Sequence, residues 1–414
     1  MEKFILKNGL TVLVEPIDYL RSVSIGVWVK AGSILETPEE NGLSHFMEHM
    51  AFKGTEKRTA RQIAEEMDAV GGHLNAATSK LCTNYYAKVI DEDLPLAADI
   101  LADIVCNPAL DPKETDKERG VVLEEIAMVE DSPEDIVYDV LAEAVFGEQA
   151  LGQTILGPAE KLQVYTPDDL RAFRKRHYGP QNAVVAVAGH VEPEKARDLM
   201  EEKFGSWTGA AGEDFPLSVA IDTPRKLARD KDTEQVHLCV SFRGNEMGSP
   251  DVYPTAVMNN VLGGGMSSRL FQKIREEMGM AYTVYSGPSS YPHCGEFTIY
   301  AATNPKHVKT VLEQMDREIE KFLKDGVTEK EFTMSKAQLK GSFILGLESA
   351  YNRMSTLGHN QMLLGRIIPP EDTIAAIERV TMEDVVEAAR RILTGPRAYA
   401  VVGRNAEKYL KDIK

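Results

Sequence analysis

The chain has 414 residues, 43% of them hydrophobic and 27% charged, with a formal net charge of −17; this is the make-up of a globular protein too long for one ordinary core. The negative balance argues against nucleic acid, whose phosphates would repel it, and against anionic membrane surfaces, leaving cationic peptides as the charge-compatible partner. No apolar run is long enough to span a membrane, and Met1-Glu-Lys-Phe-Ile-Leu-Lys7 holds only three consecutive apolar residues, so no signal-peptide core is present and a cytoplasmic protein is expected.

Early in the chain Val23, Ile25, Val27 and Val29 alternate as in a strand with one apolar face. The next feature is Ser44-His-Phe-Met-Glu-His-Met50. Residues three and four apart share a helix face, so His45, Glu48 and His49 converge on one point outside the backbone. Two neutral imidazoles plus one further carboxylate make a Zn²⁺ set of the catalytic type, with a position left open for water and with Glu48 free to act as a base. Leu94, Ala97, Ile100, Leu101 and Ile104 then mark an amphipathic helix. Leu110-Asp-Pro-Lys-Glu114 opens another, which carries Glu118 and Glu125. Those two glutamates are two turns apart on one stripe; Glu124 lies off it. A third ligand must come from a helix facing the first. Glu125 is assigned that role, and Glu118 stands behind it, able to hydrogen-bond a ligand histidine and set its tautomer. Cys82, Cys106, Cys239 and Cys294 are dispersed with no Cys-x-x-Cys pair, which fits reduced, packed thiols.

The rest of the chain reads as the same unit written again. Thr166-Pro-Asp-Asp-Leu170 leads through a helix to Ala183-Val-Val-Ala-Val-Ala-Gly189, and Thr381-Met-Glu-Asp-Val385 leads likewise to Ala398-Tyr-Ala-Val-Val-Gly403. The Val23–Val29 alternation returns at Val236, Leu238, Val240 and Phe242, and the Leu110 helix start returns at Val327-Thr-Glu-Lys-Glu331. Two similar domains follow: residues 1–208 with the metal residues, a Gly/Ala/Pro-rich linker over 209–228, and residues 229–414. Each is expected to be α+β, a mainly antiparallel sheet with one face covered by helices. Where the repeat would place the histidine motif, the second half reads Ala256-Val-Met-Asn-Asn260, so one half binds metal and the other keeps the scaffold. Gly263-Gly264-Gly265 lacks the Lys-Ser/Thr of a nucleotide loop and reads as a close-approach or hinge loop. Gly279 is expected to end a helix after Arg275, leaving Tyr282 on the loop beyond.

The inverted motif His-x-x-Glu-His, followed after about 75 residues by Glu-Arg-x₅-Glu, resembles the inverzincin metallopeptidases, the group of pitrilysin, insulin-degrading enzyme and the mitochondrial processing peptidase. The resemblance runs over essentially the whole chain. It implies that Asn75-Ala-Ala-Thr-Ser79 is the substrate-pairing edge strand, with Asn75 and Ala76 touching peptide. It also implies that Arg275 and Tyr282 are presented to the peptide by the catalytically silent domain. Where many relatives read a basic then an acidic residue after Thr78-Ser79, this chain has Lys80-Leu81. The reading is a zinc endopeptidase: Zn²⁺ on His45, His49 and Glu125, and Glu48 moving the proton. Its expected substrates are unfolded peptides that add as a strand. Family chambers use four such domains and this chain has two, so a homodimer is expected. The rival reading is a catalytically silent peptide-binding or scaffold subunit of the same fold.

Overall fold

The computed structural model describes residues 1–217, 225–411 and 413; positions 218–224 of the expected linker lie outside the described residues. Strands β1 (Glu2–Ile5), β2 (Thr11–Pro16), β3 (Ser22–Val29), β4 (His73–Thr78), β5 (Thr83–Ile90) and β6 (Ala183–Gly189) form one sheet in the order β1-β2-β6-β3-β5-β4. Strands β7 (Lys226–Asp230), β8 (Val236–Arg243), β9 (Ala281–Ser290), β10 (Gly295–Thr303) and β11 (Arg397–Gly403) form the other, in the order β7-β11-β8-β10-β9. The two orders match strand for strand once β1 is set aside. Each has a single parallel pairing, β2 with β6 and β7 with β11, and is otherwise antiparallel. The protein is α+β, as its sequence predicts.

The helices fall where their start signals lie. Thr166 and Thr381 each accept from the amide three residues on, and Asp169 and Asp384 return the bond, so two capping boxes open the Pro167–His177 and Met382–Leu393 helices. The Leu94–Cys106 helix buries Ala97, Ile100, Leu101 and Ile104 against the first sheet.

The chain does not divide as a single cut through the 209–228 linker would have it. One compact unit comprises Met1–Ile126, Thr154–Pro216 and Ile344–Ile368; the other comprises Ala127–Gln153, Leu217–Phe343 and Pro369–Lys414. Each unit therefore contains a helix from the opposite half of the sequence. In the first, the Ala350–Leu364 helix packs on β3 and β6, with Met354 and Leu357 against Trp28, Ala186 and Ala188. In the second, the Pro133–Phe146 helix packs on β8 and β11, Tyr138 stacking on Tyr300 and bonding the Tyr285 hydroxyl at 2.7 Å.

This corrects the expectation of sheets covered on one face. Every residue of β6 is buried, and so is β3 beyond its first position, because a second layer lies on the far side. Small residues allow the close approach: a Cβ on Gly358 would stand 2.3 Å from the Trp28 ring. Alternation within β3 reports its own two faces and carries no sign of a helix more than 300 residues later in the chain. Gly263 is a close-approach position too, since a Cβ there would meet the Ser286 hydroxyl at 2.4 Å. All four cysteines are free, and burial pushes their thiols up, Cys82 to about 11 and Cys106 to about 12. Among the described residues no helix is long and apolar enough to cross a membrane.

Candidate metal centre

The motif lies on the Leu43–Ala51 helix, whose apolar side sinks Phe46, Met47 and Met50 into the first core. That burial sets the rotation of the helix and turns His45, Glu48 and His49 the other way. Its N-cap, Gly42, has no side chain to offer the exposed amides. Glu36 serves instead: its Oε2 accepts from the Gly42 amide at 2.8 Å and from Asn41 at 3.1 Å, and its Oε1 accepts from the Ser44 amide at 2.6 Å. Burial raises the Glu36 carboxyl, with these bonds pulling the other way.

The facing helix, Pro112–Glu130, brings Glu118 and Glu125 to the motif. His45, His49 and Glu125 each offer a ligand atom, all within 4.8 Å of one another. Glu125 Oε2 lies 3.7 Å from His45 Nε2 and 3.3 Å from His49 Nε2. Bonds of 2.0–2.1 Å in a tetrahedral zinc site separate neighbouring donors by about 3.4 Å, so the spacing fits the ion. Among the described residues no fourth His, Cys or carboxylate joins the group, which matches a site open to water or substrate.

The surroundings prepare the donors. His49 Nδ1 is 2.7 Å from Glu118 Oε1, and the other Glu118 oxygen takes Lys53 Nζ at 2.7 Å. A proton on Nδ1 leaves the Nε2 lone pair facing Glu125. Burial alone would lower the His49 pKa, but the Glu118 bond and the nearby carboxylates outweigh it and raise the value. Burial would raise Glu118; its bonds to His49 and Lys53 hold it below the usual range. His45 differs: burial and the neighbouring His49 lower it to about 4, so it is neutral and ready to donate at ordinary pH. Burial raises the Glu48 carboxyl, against a hydrogen bond from Thr78. A carboxylate of raised pKa is a stronger base toward a water proton.

Asn75 and Ala76 lie on β4, in register with Tyr86 and Tyr85 of β5 on one side and, among the described residues, with no strand on the other. Asn75 is exposed, and its Oδ1 accepts from the Ala76 amide at 2.8 Å. Arg275 and Tyr282 belong to the second unit, where they meet: the Arg275 guanidinium sits 4.9 Å from the Tyr282 ring centre and 4.6 Å from that of Phe271. Tyr282 is 75% exposed, so the stacked pair is presented to solvent. It stands on β9 and not on a loop as expected. Gly279, at φ +61°, ends the helix and turns the chain so sharply that the strand begins at Ala281. Sequence reasoning did not single out Glu36, Lys53 or Thr78. A helix start with glycine in place of a capping side chain was the one available hint of an outside acceptor such as Glu36.

Residues 11–159 match the family model for insulinase, peptidase family M16, and residues 165–339 match that for the peptidase M16 inactive domain. The chain belongs to peptidase family M16. It is 44% identical over 402 residues to an uncharacterized zinc protease of Bacillus subtilis, covering 97% of this chain and 98% of that one. It is 38% identical over 410 residues to an uncharacterized zinc protease of Streptomyces coelicolor, covering 97% and 89%. In fold it is similar to a protease from Helicobacter pylori, with a TM-score of 0.92 at 23% identity over 97% and 99% of the two chains. It is likewise similar to a peptidase M16 inactive domain from Pseudomonas fluorescens, with a TM-score of 0.90 at 20% identity over 98% of both chains.

Proposed function

We propose that this chain is an active zinc endopeptidase that cleaves unfolded peptides. The observation that carries the reading is the meeting of His45 and His49, on the helix that also bears Glu48, with Glu125 of the facing helix, all within 4.8 Å. A silent scaffold subunit would have no use for three converging ligands beside a half-buried carboxylate of raised pKa. Held by those three residues, Zn²⁺ would polarise the scissile carbonyl and acidify the attacking water. Glu48 takes the proton from that water and passes it to the leaving amine. Glu118 and Lys53 hold His49 in its donor tautomer. The open edge of β4 offers backbone bonding groups to an added substrate strand, with Asn75 and Ala76 beside it, which favours extended peptides and tolerates many sequences. Arg275 and Tyr282 contribute a cationic and an aromatic contact from the second unit. A homodimer enclosing the peptide completes the proposal, so that access is decided by size and lack of fold.

Glu48→Gln is the test. Zinc is expected to remain near one per chain while hydrolysis of a fluorogenic peptide falls by about 10²- to 10⁴-fold. Activity within a few-fold of the parent would remove Glu48 from the mechanism, and zinc-loaded parent protein that cuts no peptide would return the chain to the scaffold reading. Light scattering tests the dimer, and cleavage of one peptide both free and fused to a folded domain tests the enclosure; a monomer that cuts both equally well would sink that part.

A further inference from the structure

Thr78 ends β4, and its hydroxyl donates a short hydrogen bond to Glu48 Oε2. The Thr78 backbone bonds the same carboxylate. Behind it lies Thr83, fully buried, whose hydroxyl donates to the Ala31 carbonyl at 2.7 Å and sits 3.2 Å from the Thr78 oxygen. A hydroxyl has one hydrogen to give. Thr83 has committed its own to Ala31, so it has none to offer Thr78 and makes no competing demand on Glu48. If Thr78 turned its hydrogen back to Thr83, the half-buried Glu48 carboxylate would lose its hydroxyl donor and keep only the Thr78 backbone bond.

We propose that Thr78 is the positioning residue for the base: it pins Glu48 Oε2 and thereby leaves Oε1 as the atom that handles the proton. The proposal rests on the peptidase reading of this site for its kinetic consequences. Oε1 accepts a proton as a water O–H bond breaks, and releases it as an N–H bond forms on the leaving amine. Oε2 is an acceptor in both states of Glu48, so the Thr78 bond persists through the cycle and the carboxyl does not swing between steps. Thr78 also joins the free edge of the sheet to the motif helix, so an added substrate strand and the base share one anchor.

The second unit supplies an internal control. In β9, which takes the place of β4 there, the Ser286 hydroxyl donates to Asn259 Oδ1 at 2.7 Å. Asn259 stands where the repeat sets Glu48. The strand-to-helix bond is thus present where, among the described residues, no metal-binding group forms, and Ser286→Ala reads its purely structural worth.

Thr78→Val removes the hydroxyl and keeps the shape; Thr78→Ser keeps the hydroxyl. With zinc loaded, kcat of Thr78→Val is expected to fall about 10- to 100-fold, the worth of a hydrogen bond to a charged group, with KM and zinc content unchanged. Thr78→Ser is expected to stay within about threefold of the parent, and Ser286→Ala to lose thermal stability without losing kcat. A Thr78→Val enzyme within twofold of the parent, a Thr78→Ser enzyme as slow as Thr78→Val, or zinc lost from either would each overturn the proposal. Crystal structures of the zinc-loaded proteins decide it without any turnover: Glu48 is expected in one conformer in the parent and displaced or split in Thr78→Val. An unmoved Glu48 in Thr78→Val overturns the proposal, whereas a parent protein that cuts nothing overturns only the peptidase reading.

Discussion

The Leu43–Ala51 helix of the first unit and the Val252–Leu262 helix of the second hold equivalent positions, each packed on an edge strand and on the helix that precedes the last strand of its sheet. Their contacts correspond as well. His49 meets Glu118 of the Pro112–Glu130 helix at 2.7 Å; Asn260, in its place, donates to the Ser335 carbonyl and to Gln338 Oε1 of the Glu329–Gly346 helix, both at 3.3 Å. The architecture therefore does not need the charges. Neutral amides bridge the same two helices at little electrostatic cost, while the first unit buries two imidazoles and a glutamate that repel, desolvate and shift one another. Such expense concentrated in one of two matching sites is the mark of function over scaffold.

The sharpest way to break this comparison is to remove a ligand. His49→Ala and Glu125→Gln are expected to lose zinc, measured by metal analysis after dialysis, with affinity falling by more than the 10- to 100-fold typical of an outer partner; Glu118→Gln is expected to show that smaller loss. Should Glu124→Gln lose zinc and Glu125→Gln keep it, the stripe facing the motif would be misassigned.

Next comes pH. His45 has a folded value of about 4 against 6.5 for the free side chain, so the folded, metal-free protein binds fewer protons than the unfolded chain between those limits. Its contribution is neutral above pH 6.5 and becomes destabilising as pH falls toward 4, reaching about 3 kcal/mol. Denaturant melts of the apo protein, with His45→Asn as reference, measure this; parallel pH profiles for the two would show that His45 is not held neutral by burial.

Smaller effects belong to the second unit. Arg275→Ala and Tyr282→Phe are expected to lower kcat/KM several-fold with zinc content unchanged, and unaltered kinetics in both would make the stacked pair ordinary surface. Asn260→Ala is expected to cost about 1 kcal/mol of stability and nothing in turnover. A loss of activity there would show that the two helix pairs are less independent than their chemistry implies.

How much of this was legible beforehand follows from the range of each signal. Helix spacing placed His45, Glu48 and His49 on one face, and a two-turn interval picked Glu118 and Glu125, because those relations are local and periodic. The repeat was legible through its caps and its alternating strands. Glu36 and Lys53 were not, since an acid and a lysine outside any period look like surface until the fold puts them against the motif; Thr78 was legible only as part of the edge strand, its bond to Glu48 being a matter of the fold. Tyr282 was misplaced by two residues' worth of turn. The far covering of each sheet lay beyond any local pattern, as the covering helix comes from the other half of the chain.

That reciprocal covering has a consequence for how the protein is made. As it leaves the ribosome, the first sheet has an apolar face around Trp28, Ala186 and Ala188 whose covering residues Ala350, Met354 and Leu357 are yet to come. It stays open until the Ala350–Leu364 helix emerges, by which point nearly all of the metal-free repeat has been synthesised. Finishing the half that carries the histidine motif thus waits on its repeat, and a gene split at the linker would yield two products, each carrying a helix that packs in the other's unit.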